Sequence, residues 1–262
     1  MPEGYALAGG HHPLTATTGR IRSLRAATTW LDRVGVAALF PGADLVLPSL
    51  WEAVSGSRAV DWAVRDEHGG YVSFTPEMAR CWSWKDELPA QELACVGKHF
   101  GRWAALVAPR LVPALWTVSA ERREELGALE REVAEAVSEA GPSTGPQLRA
   151  MIGVEKKAVD RAVVSLQRAL VLTSAGVVEQ DRGWGAVAFD LVTRRWRTRD
   201  VPNAEPELAA TVLTSSGELS AADLGGALGW RVKRSRDVLD ALVERGDALR
   251  REGDGLALYS SV

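Results

Sequence analysis

The side chains best suited to contact a charged partner form two short cationic runs. Arg231, Lys233, Arg234 and Arg236 fall within six residues, and Arg194, Arg195, Arg197 and Arg199 form the second run. The whole chain has 31 basic and 34 acidic residues, so both runs concentrate positive charge on a protein whose net charge is −3. Such a concentration is typical of a surface that faces phosphate groups, although solvated helix faces also carry charge runs.

Metal and redox chemistry find little support in the sequence. The chain has four histidines and two cysteines, and Cys81 and Cys95 lie too far apart for a redox CxxC pair. Two thiols cannot form a disulfide framework, and no spacing fits a zinc site, a Walker loop or a Rossmann glycine pattern. The longest apolar run, Val34 to Phe40, is far shorter than the roughly 20 residues of a membrane-spanning helix. We therefore expect no metal, no cofactor and no membrane contact, while a homo-oligomer stays open.

An internal repeat organises the second half of the chain. A shift of 76 residues places Gly141 on Gly217, Thr144 on Ser220, Leu148 on Leu224, Gly153 on Gly229, Lys157 on Lys233 and Leu166 on Leu242. In each copy a helix and a turn precede Thr144 or Ser220, whose hydroxyl suits an N-cap. A short helix then runs to a glycine that can end it, and a longer third helix and a two-stranded ribbon follow. This order predicts a mainly α fold with small β-wings, built of tandem winged helix-turn-helix modules.

The third helix of each copy combines an apolar stripe with a cationic outward face. Val159, Ala162, Val163 and Leu166 recur at helical spacing, and the shift aligns them with Ser235, Val238, Leu239 and Leu242. In a helix-turn-helix the outward face enters the major groove, where arginine and lysine contact phosphates or guanine edges. We therefore predict contacts with double-stranded DNA from Lys156, Lys157, Arg161, Arg231, Lys233, Arg234 and Arg236, and from Arg182 and Trp184 at the tip of the first ribbon. The acidic residues between them leave a purely protein-binding role open.

The N-terminal half has a different composition, because residues 20–120 contain seven of the ten tryptophans. The patterns predict a helix over Ile21–Val34, a short helix from Pro48 or Ser49, and a hairpin of Trp62–Arg65 with Tyr71–Phe74. A connector with two prolines, Thr198–Pro206, separates the two copies. The predicted domains are a flexible leader (1–19), a Trp-rich N-terminal module that could be a degenerate winged helix (20–120), and two winged helices (121–200 and 201–262).

Three segments carry a resemblance to a known family. Trp30–Gly35 leads into the extended stretch Ala37–Leu47, Trp82–Pro89 reads Trp-Ser-Trp-Lys-Asp-Glu-Leu-Pro, and Leu166–Trp196 runs from the third helix through the wing to Arg194-Arg195-Trp196. In these segments the chain resembles the winged-helix DNA glycosylases of the AlkZ/YcaQ type, over about residues 20–200. The resemblance implies a winged-helix fold, DNA as the ligand, and a connection with the excision of alkylated or crosslinked bases.

The chain departs from that family at the catalytic motif. The resemblance would place a Gln-x-Gln or Gln-x-Asp motif, which positions the attacking water, at about residues 33–36, yet the first glutamine is Gln91. It would also place a His-Glu pair near Lys85 and Asp86. A lysine beside a carboxylate can form a Schiff base with a sugar, so these two residues are the catalytic candidates. Adjacent helical residues do not face each other, and carboxylates raise the pKa of a lysine, which favours a structural cluster between modules instead.

The sequence thus favours a double-stranded DNA-binding protein that is a non-catalytic relative of the glycosylases and acts as a regulator or a lesion-binding factor. Its expected location is cytoplasmic and nucleoid-associated. Two alternatives stay open. One is an active DNA glycosylase with a substituted catalytic group, and the other is a winged-helix module for protein–protein assembly.

Overall fold

The structure is a computed structural model that describes residues 20–179, 185–253 and 255–262. About half of it is helical, and its sheets are small and antiparallel. The N-terminal segment contains α1 (Leu24–Val34), β1 (Val36–Ala38), α2 (Leu50–Ser55), β2 (Ala63–Arg65), β3 (Tyr71–Phe74), α3 (Pro76–Ala90), β4 (Cys95–Gly97), β5 (Ala105–Val107), a 3-10 turn (Pro109–Leu111), α4 (Val112–Val118) and α5 (Ala120–Glu124). Strand β5 pairs with β1 on one side and β4 on the other, and β2 pairs with β3.

Two segments with the same order of elements follow. The first repeat contains α6 (Ala128–Ala140), β6 (Ser143–Thr144), α7 (Gly145–Ile152), α8 (Lys156–Arg168), β7 (Leu172–Val178) and β8 (Ala186–Leu191). A short helix, α9 (Val192–Arg195), and a connector lead to the second repeat. The second repeat contains α10 (Ala204–Ser216), β9 (Glu218–Ser220), α11 (Ala221–Leu228), α12 (Val232–Glu244), β10 (Ala248–Gly253) and β11 (Leu256–Ser261).

The predicted repeat is confirmed at the level of individual elements. Helices α6, α7 and α8 begin and end 76 residues before α10, α11 and α12. Thr144 and Ser220 are both N-caps with capping boxes, and Gly153 and Gly229 both end their helices in the left-handed conformation. The aligned stripes of the third helices are buried in both copies. The local sequence therefore specifies the same three-helix unit twice.

Two predicted boundaries were wrong, and in each case a cap or a helix end explains the shift. Helix α1 begins at Leu24 rather than Ile21, because the side chain of Ser23 accepts a hydrogen bond from the Ala26 amide and caps the helix there. The connector ends at Asn203, since Ala204–Pro206 already form the first turn of α10. The short helix after Ser49 and the hairpin β2–β3 are confirmed.

The N-terminal sheet lies between two apolar cores. Val36 and Ala38 of β1 face a core that includes Leu208, Leu239 and Tyr259 of the second repeat. Ala37 and the neighbouring Leu39 face the opposite side, toward α1, α2 and α3. Side chains alternate across a strand, so this short strand joins both cores. The first repeat has a separate core, centred on Val133, Val137, Leu148, Val159 and Leu166.

No helix within the described ranges is long and apolar enough to cross a bilayer.

Candidate nucleic-acid interface

Helix α8 presents the cationic face that the sequence predicts. Val159, Ala162 and Leu166 are buried in the core of the first repeat, and Lys156, Lys157 and Arg161 are exposed on the outer side. The Arg161 Nε donates to the carbonyl of Lys157 within its own helix, at 3.3 Å, and no other partner is found among the described residues. These three side chains are therefore turned toward solvent and can reach a bound polyanion.

Helix α12 presents a similar face whose charge is partly compensated. Arg231, Lys233 and Arg236 are exposed, but the Lys233 Nζ lies 2.7 Å from the Asp237 carboxylate. Arg234 is half-buried: its Nε donates to Glu205 at 3.0 Å, and its guanidinium lies 4.8 Å from the Trp230 ring centroid. Arg234 thus ties α12 to the first turn of α10 and offers only part of its guanidinium to a ligand.

The second cationic run is largely structural. Arg194 donates to the Ser138 carbonyl at the end of α6 and pairs with buried Asp190. Arg195 donates to the Pro89 carbonyl at the end of α3, and its guanidinium lies 3.8 Å from Asp190. The interpretation of this run as a phosphate-facing surface was therefore wrong for these two arginines, because both donate to carbonyls at helix ends and pair with Asp190. The predicted contacts at Arg182 and Trp184 lie outside the described residues.

A cavity of about 650 Å³ opens between the N-terminal segment and the first repeat. Its walls come from α3 and β4 on one side and from α8, β7 and β8 on the other. The polar lining residues are Lys85, Asp86, Lys98, Asp160, Gln167 and Ser174, and the remaining lining is mainly apolar. This volume is within the range of ligand-binding clefts, about 300–1,000 Å³.

Lys85 and Asp86 meet at the wall of this cavity. The Lys85 Nζ is 2.7 Å from both carboxylate oxygens of Asp86 and 4.4 Å from the ring centroid of Trp82. The expectation that adjacent helical residues would not face each other was wrong. Trp82 lies three residues before Lys85, so the lysine side chain lies over its ring, and from there the Nζ reaches the carboxylate of the next residue. The pair is partly exposed, with side-chain exposures of 18% and 25%.

A buried polar group behind the cavity wall was missed by the sequence reasoning. The His99 Nδ1 donates to the Gln167 carbonyl at 2.9 Å, which leaves Nε2 to accept from the Cys95 thiol at 3.4 Å. Burial lowers the pKa of His99 to about 4 and raises the pKa of Cys95 to about 12. A neutral imidazole beside a protonated thiol is not a nucleophilic pair. These groups instead connect β4 with α8.

Side chains of the first repeat also supply hydrogen-bond partners for backbone groups along the unpaired edge of strand β4. The Thr173 hydroxyl donates to the Val96 carbonyl at 3.0 Å and accepts from the Val96 amide at 3.2 Å. The Lys98 amide donates to the Gln167 side chain at 3.1 Å. Unpaired backbone groups at a buried edge are costly, so these contacts fix the first repeat against the N-terminal sheet. Sequence spacing gives no signal for them, since the partners are about 70 residues apart.

Histidine, cysteine and acidic side chains form no metal-binding group of three or more in the part of the chain that the structure covers.

The comparisons with known proteins give one family match and similar solved structures. The model of the AlkZ-related family matches residues 21–218. The structure of the DNA glycosylase AlkZ from Streptomyces sahachiroi matches with a TM-score of 0.59 and 11% identity, over 96% of this chain and 67% of that one. At this identity the likeness shows the fold. The DIP2311 protein from Corynebacterium diphtheriae matches at 16% identity over 73% of this chain and 40% of that one, with a TM-score of only 0.20. The search of curated proteins finds no match.

Proposed function

Since this chain belongs to the AlkZ-related family, whose model matches residues 21–218, we propose that it binds double-stranded DNA without excising bases. In this proposal residues 121–200 and 201–262 are winged helix-turn-helix modules that follow a leader (1–19) and a degenerate winged helix (20–120). The protein then acts as a regulator or a lesion-binding factor, and a nucleoid location follows from that role.

The observation that carries the proposal is the pair of equivalent third helices. In each, a buried apolar stripe fixes the helix to its module and leaves cations on the opposite face. A helix of 13 residues is about 20 Å long, and the major groove is wide enough to admit one. Lys156, Lys157 and Arg161 on α8 and Arg231, Lys233 and Arg236 on α12 are then the phosphate or base contacts.

The absence of base excision rests on the missing motif. Active relatives position the attacking water with a Gln-x-Gln or Gln-x-Asp motif at about residues 33–36, and here the first glutamine is Gln91. The cavity at the module junction supports a lesion-binding role, because its volume and mainly apolar lining suit an extruded base.

A binding titration tests the proposal directly. Fluorescence anisotropy of a labelled 20-base-pair duplex should give micromolar or tighter affinity at 50 mM salt. The affinity should fall by at least about 1,000-fold at 200 mM salt if six phosphates are contacted. Lys157→Glu should weaken binding strongly, whereas Arg25→Glu, which changes an exposed cation on α1, should not. Failure to bind at 50 mM salt would overturn the proposal and favour a protein–protein assembly role.

The geometry of Lys85 and Asp86 favours one second candidate, an active glycosylase with a substituted catalytic group. The pair lines the cavity in which a base would lie, and a lysine amine can attack a sugar carbon. Duplexes that carry alkylated purines decide between the candidates. Abasic product that disappears in Lys85→Ala and Asp86→Ala but persists in Glu87→Ala would establish excision. No product from the unmodified protein, with binding intact, supports the non-catalytic role.

A further inference from the structure

Arg122 on α5 connects three parts of the chain through one guanidinium group. It donates to the Gly229 carbonyl at 2.9 Å, the Arg168 carbonyl at 3.2 Å and the His99 carbonyl at 3.4 Å. These carbonyls belong to the second repeat, the first repeat and the N-terminal segment, respectively. A guanidinium carries five N–H donors in a fixed plane, so its contacts set the relative positions of all three.

The two carbonyls from the repeats lie at the ends of the third helices. Arg168 is the last residue of α8, and Gly229 precedes the N-cap of α12, Arg231, by two residues. One side chain reaches both, so the C-terminal end of α8 and the N-terminal end of α12 meet at Arg122. The second repeat also lies very close to the N-terminal segment at this point, because a Cβ added to Gly229 would lie 2.2 Å from the Phe100 carbonyl oxygen.

Positive charge is concentrated at this junction. Burial lowers the pKa of Arg122, and the charges of Arg234 and Arg168 lower it further, which places both guanidinium groups near it. Arg168 and Arg231 are exposed on either side. Arg122, Arg168 and Arg231 therefore place cationic groups where the end of α8 meets the start of α12.

We propose that Arg122 is a positioning residue that holds the two third helices in one arrangement, so that a single duplex contacts both at once. This inference rests on the proposed DNA-binding function and deepens it. Two contact sites on one rigid body bind cooperatively, because the second contact forms at a high effective concentration once the first has formed. Without Arg122 the apolar core and the contacts of Thr173 and Gln167 still attach both repeats, but the third helices are held less firmly in one arrangement, so simultaneous contact is weaker.

A double-mutant cycle tests this coupling. In the unmodified protein, Arg161→Ala on α8 and Arg236→Ala on α12 should each reduce duplex affinity about 10-fold. In an Arg122→Ala background, where the guanidinium link between the two third helices is lost and their relative position is less restricted, Arg236→Ala should reduce it less than 2-fold. The slope of log affinity against log salt should also fall by about half, because fewer phosphates are contacted at once.

Two control variants separate positioning from charge and from general destabilisation. Arg122→Lys keeps the charge but loses the planar fork, and it should behave like Arg122→Ala. Arg110→Ala removes an arginine that donates to the Asp32 carbonyl within the N-terminal segment, and it should leave the coupling unchanged. Binding is measured well below each unfolding midpoint.

A distance measurement provides a readout that does not require DNA. Spin labels at Lys157→Cys and Lys233→Cys should give a narrow distance distribution in the parent protein and a broad one with Arg122→Ala; the native cysteines are buried and would not be labelled. Equal effects of Arg236→Ala in both backgrounds, or an unchanged distance distribution, would overturn the inference while leaving DNA binding intact. A parent protein that binds no duplex would overturn the proposed function itself.

Discussion

The two repeats have the same helix bounds but differ in how they are attached to the N-terminal segment. The second repeat shares an apolar core with the N-terminal sheet, in which Leu208, Leu239 and Tyr259 pack against β1, β4 and β5. The first repeat has its own core, adds Leu170 to the shared core, and otherwise meets the same sheet through Thr173, Gln167 and the cavity. Apolar burial is non-directional, whereas hydrogen bonds require defined partners. The second repeat is thus the anchor, and the first forms one wall of a cleft.

The two repeats also differ in how far the cations on their third helices are compensated by acidic side chains. In the part of the chain that the structure covers, no acidic side chain forms an ion pair with Lys157 or Arg161, while Lys233 pairs with Asp237 and Arg234 with Glu205. Among the described residues, Arg231 and Arg236 on α12 also form no ion pair, so α8 differs in that none of its exposed lysines and arginines at 156, 157 and 161 is compensated. If the protein binds DNA, α8 should contribute more of the affinity than α12.

The glycines that end α7 and α11 offer the largest test of this comparison. Both adopt positive φ, but no atom lies within 4 Å of an added Cβ at Gly153, and the Phe100 carbonyl would lie 2.2 Å away at Gly229. Gly153→Ala should cost about 1 kcal/mol of unfolding free energy from backbone strain alone. Gly229→Ala should cost about 3 kcal/mol or more, because it also separates the second repeat from the N-terminal segment. Urea unfolding of both variants measures the difference, and equal losses would contradict the anchoring role.

Acid should weaken the attachment of the first repeat selectively. Burial lowers the pKa of His99 to about 4, from 6.5 in an unfolded chain. Between these values the unfolded chain binds more protons, so stability falls as the pH drops from 6.5 to 4, by about 3 kcal/mol in total. His99→Asn keeps a donor near the Gln167 carbonyl but cannot titrate, so its stability should vary less over this range.

Thermal unfolding at a series of pH values checks this prediction. The second repeat contains no histidine, so its attachment has no corresponding imidazole titration. A parent protein and a His99→Asn variant with the same pH dependence would show that His99 does not control this interface.

The distance along the chain between interacting residues decides which parts of the fold the sequence could predict. Thr144 and Gly153 act on backbone groups within four residues, so the first repeat's helix bounds can be derived from local patterns. The same cap and helix-ending glycine recur at Ser220 and Gly229, which supported the same helix bounds in the second repeat. The cavity could not be derived, because it depends on contacts such as Thr173 to Val96, 77 residues apart, for which the sequence has no periodic pattern.

The candidate site was predicted in part for the same reason. The exposure of Lys157 and Lys233 follows from the buried stripe on the opposite side of each helix, and the structure places both as expected. The roles of Arg194 and Arg195 were missed, because helix ends distant in sequence supply the carbonyls that they bind. The contact of Lys85 with the Trp82 ring follows from the i, i+3 spacing, but the pairing of Lys85 with the adjacent Asp86 does not follow from helical spacing.

The two third helices should also differ in how much each contributes to duplex binding, although this effect is smaller than that of the glycine substitutions. Lys157→Ala with Arg161→Ala removes two free cations and should lower the salt slope of binding by about two. Lys233→Ala with Arg236→Ala should lower it by about one, because Asp237 already compensates part of the charge. Anisotropy titrations at four salt concentrations measure both slopes, with Arg25→Ala and Arg131→Ala as a control pair of exposed cations. A larger change for the α12 pair would reverse the comparison.

The smallest effect should come from removing the acidic partner of Lys233 on α12. Asp237→Asn removes the carboxylate that lies 2.7 Å from the Lys233 Nζ, and both side chains are exposed. Exposed ion pairs contribute little to stability, so the unfolding midpoint should barely change, while duplex affinity should rise about 2- to 3-fold as α12 gains a free cation. Asp247→Asn, which removes a comparable exposed partner from Arg245, controls for net charge and should leave affinity nearly unchanged. If both substitutions raise affinity equally, the whole-molecule charge accounts for the gain, and the local pairing on α12 does not explain why its face binds less strongly than that of α8.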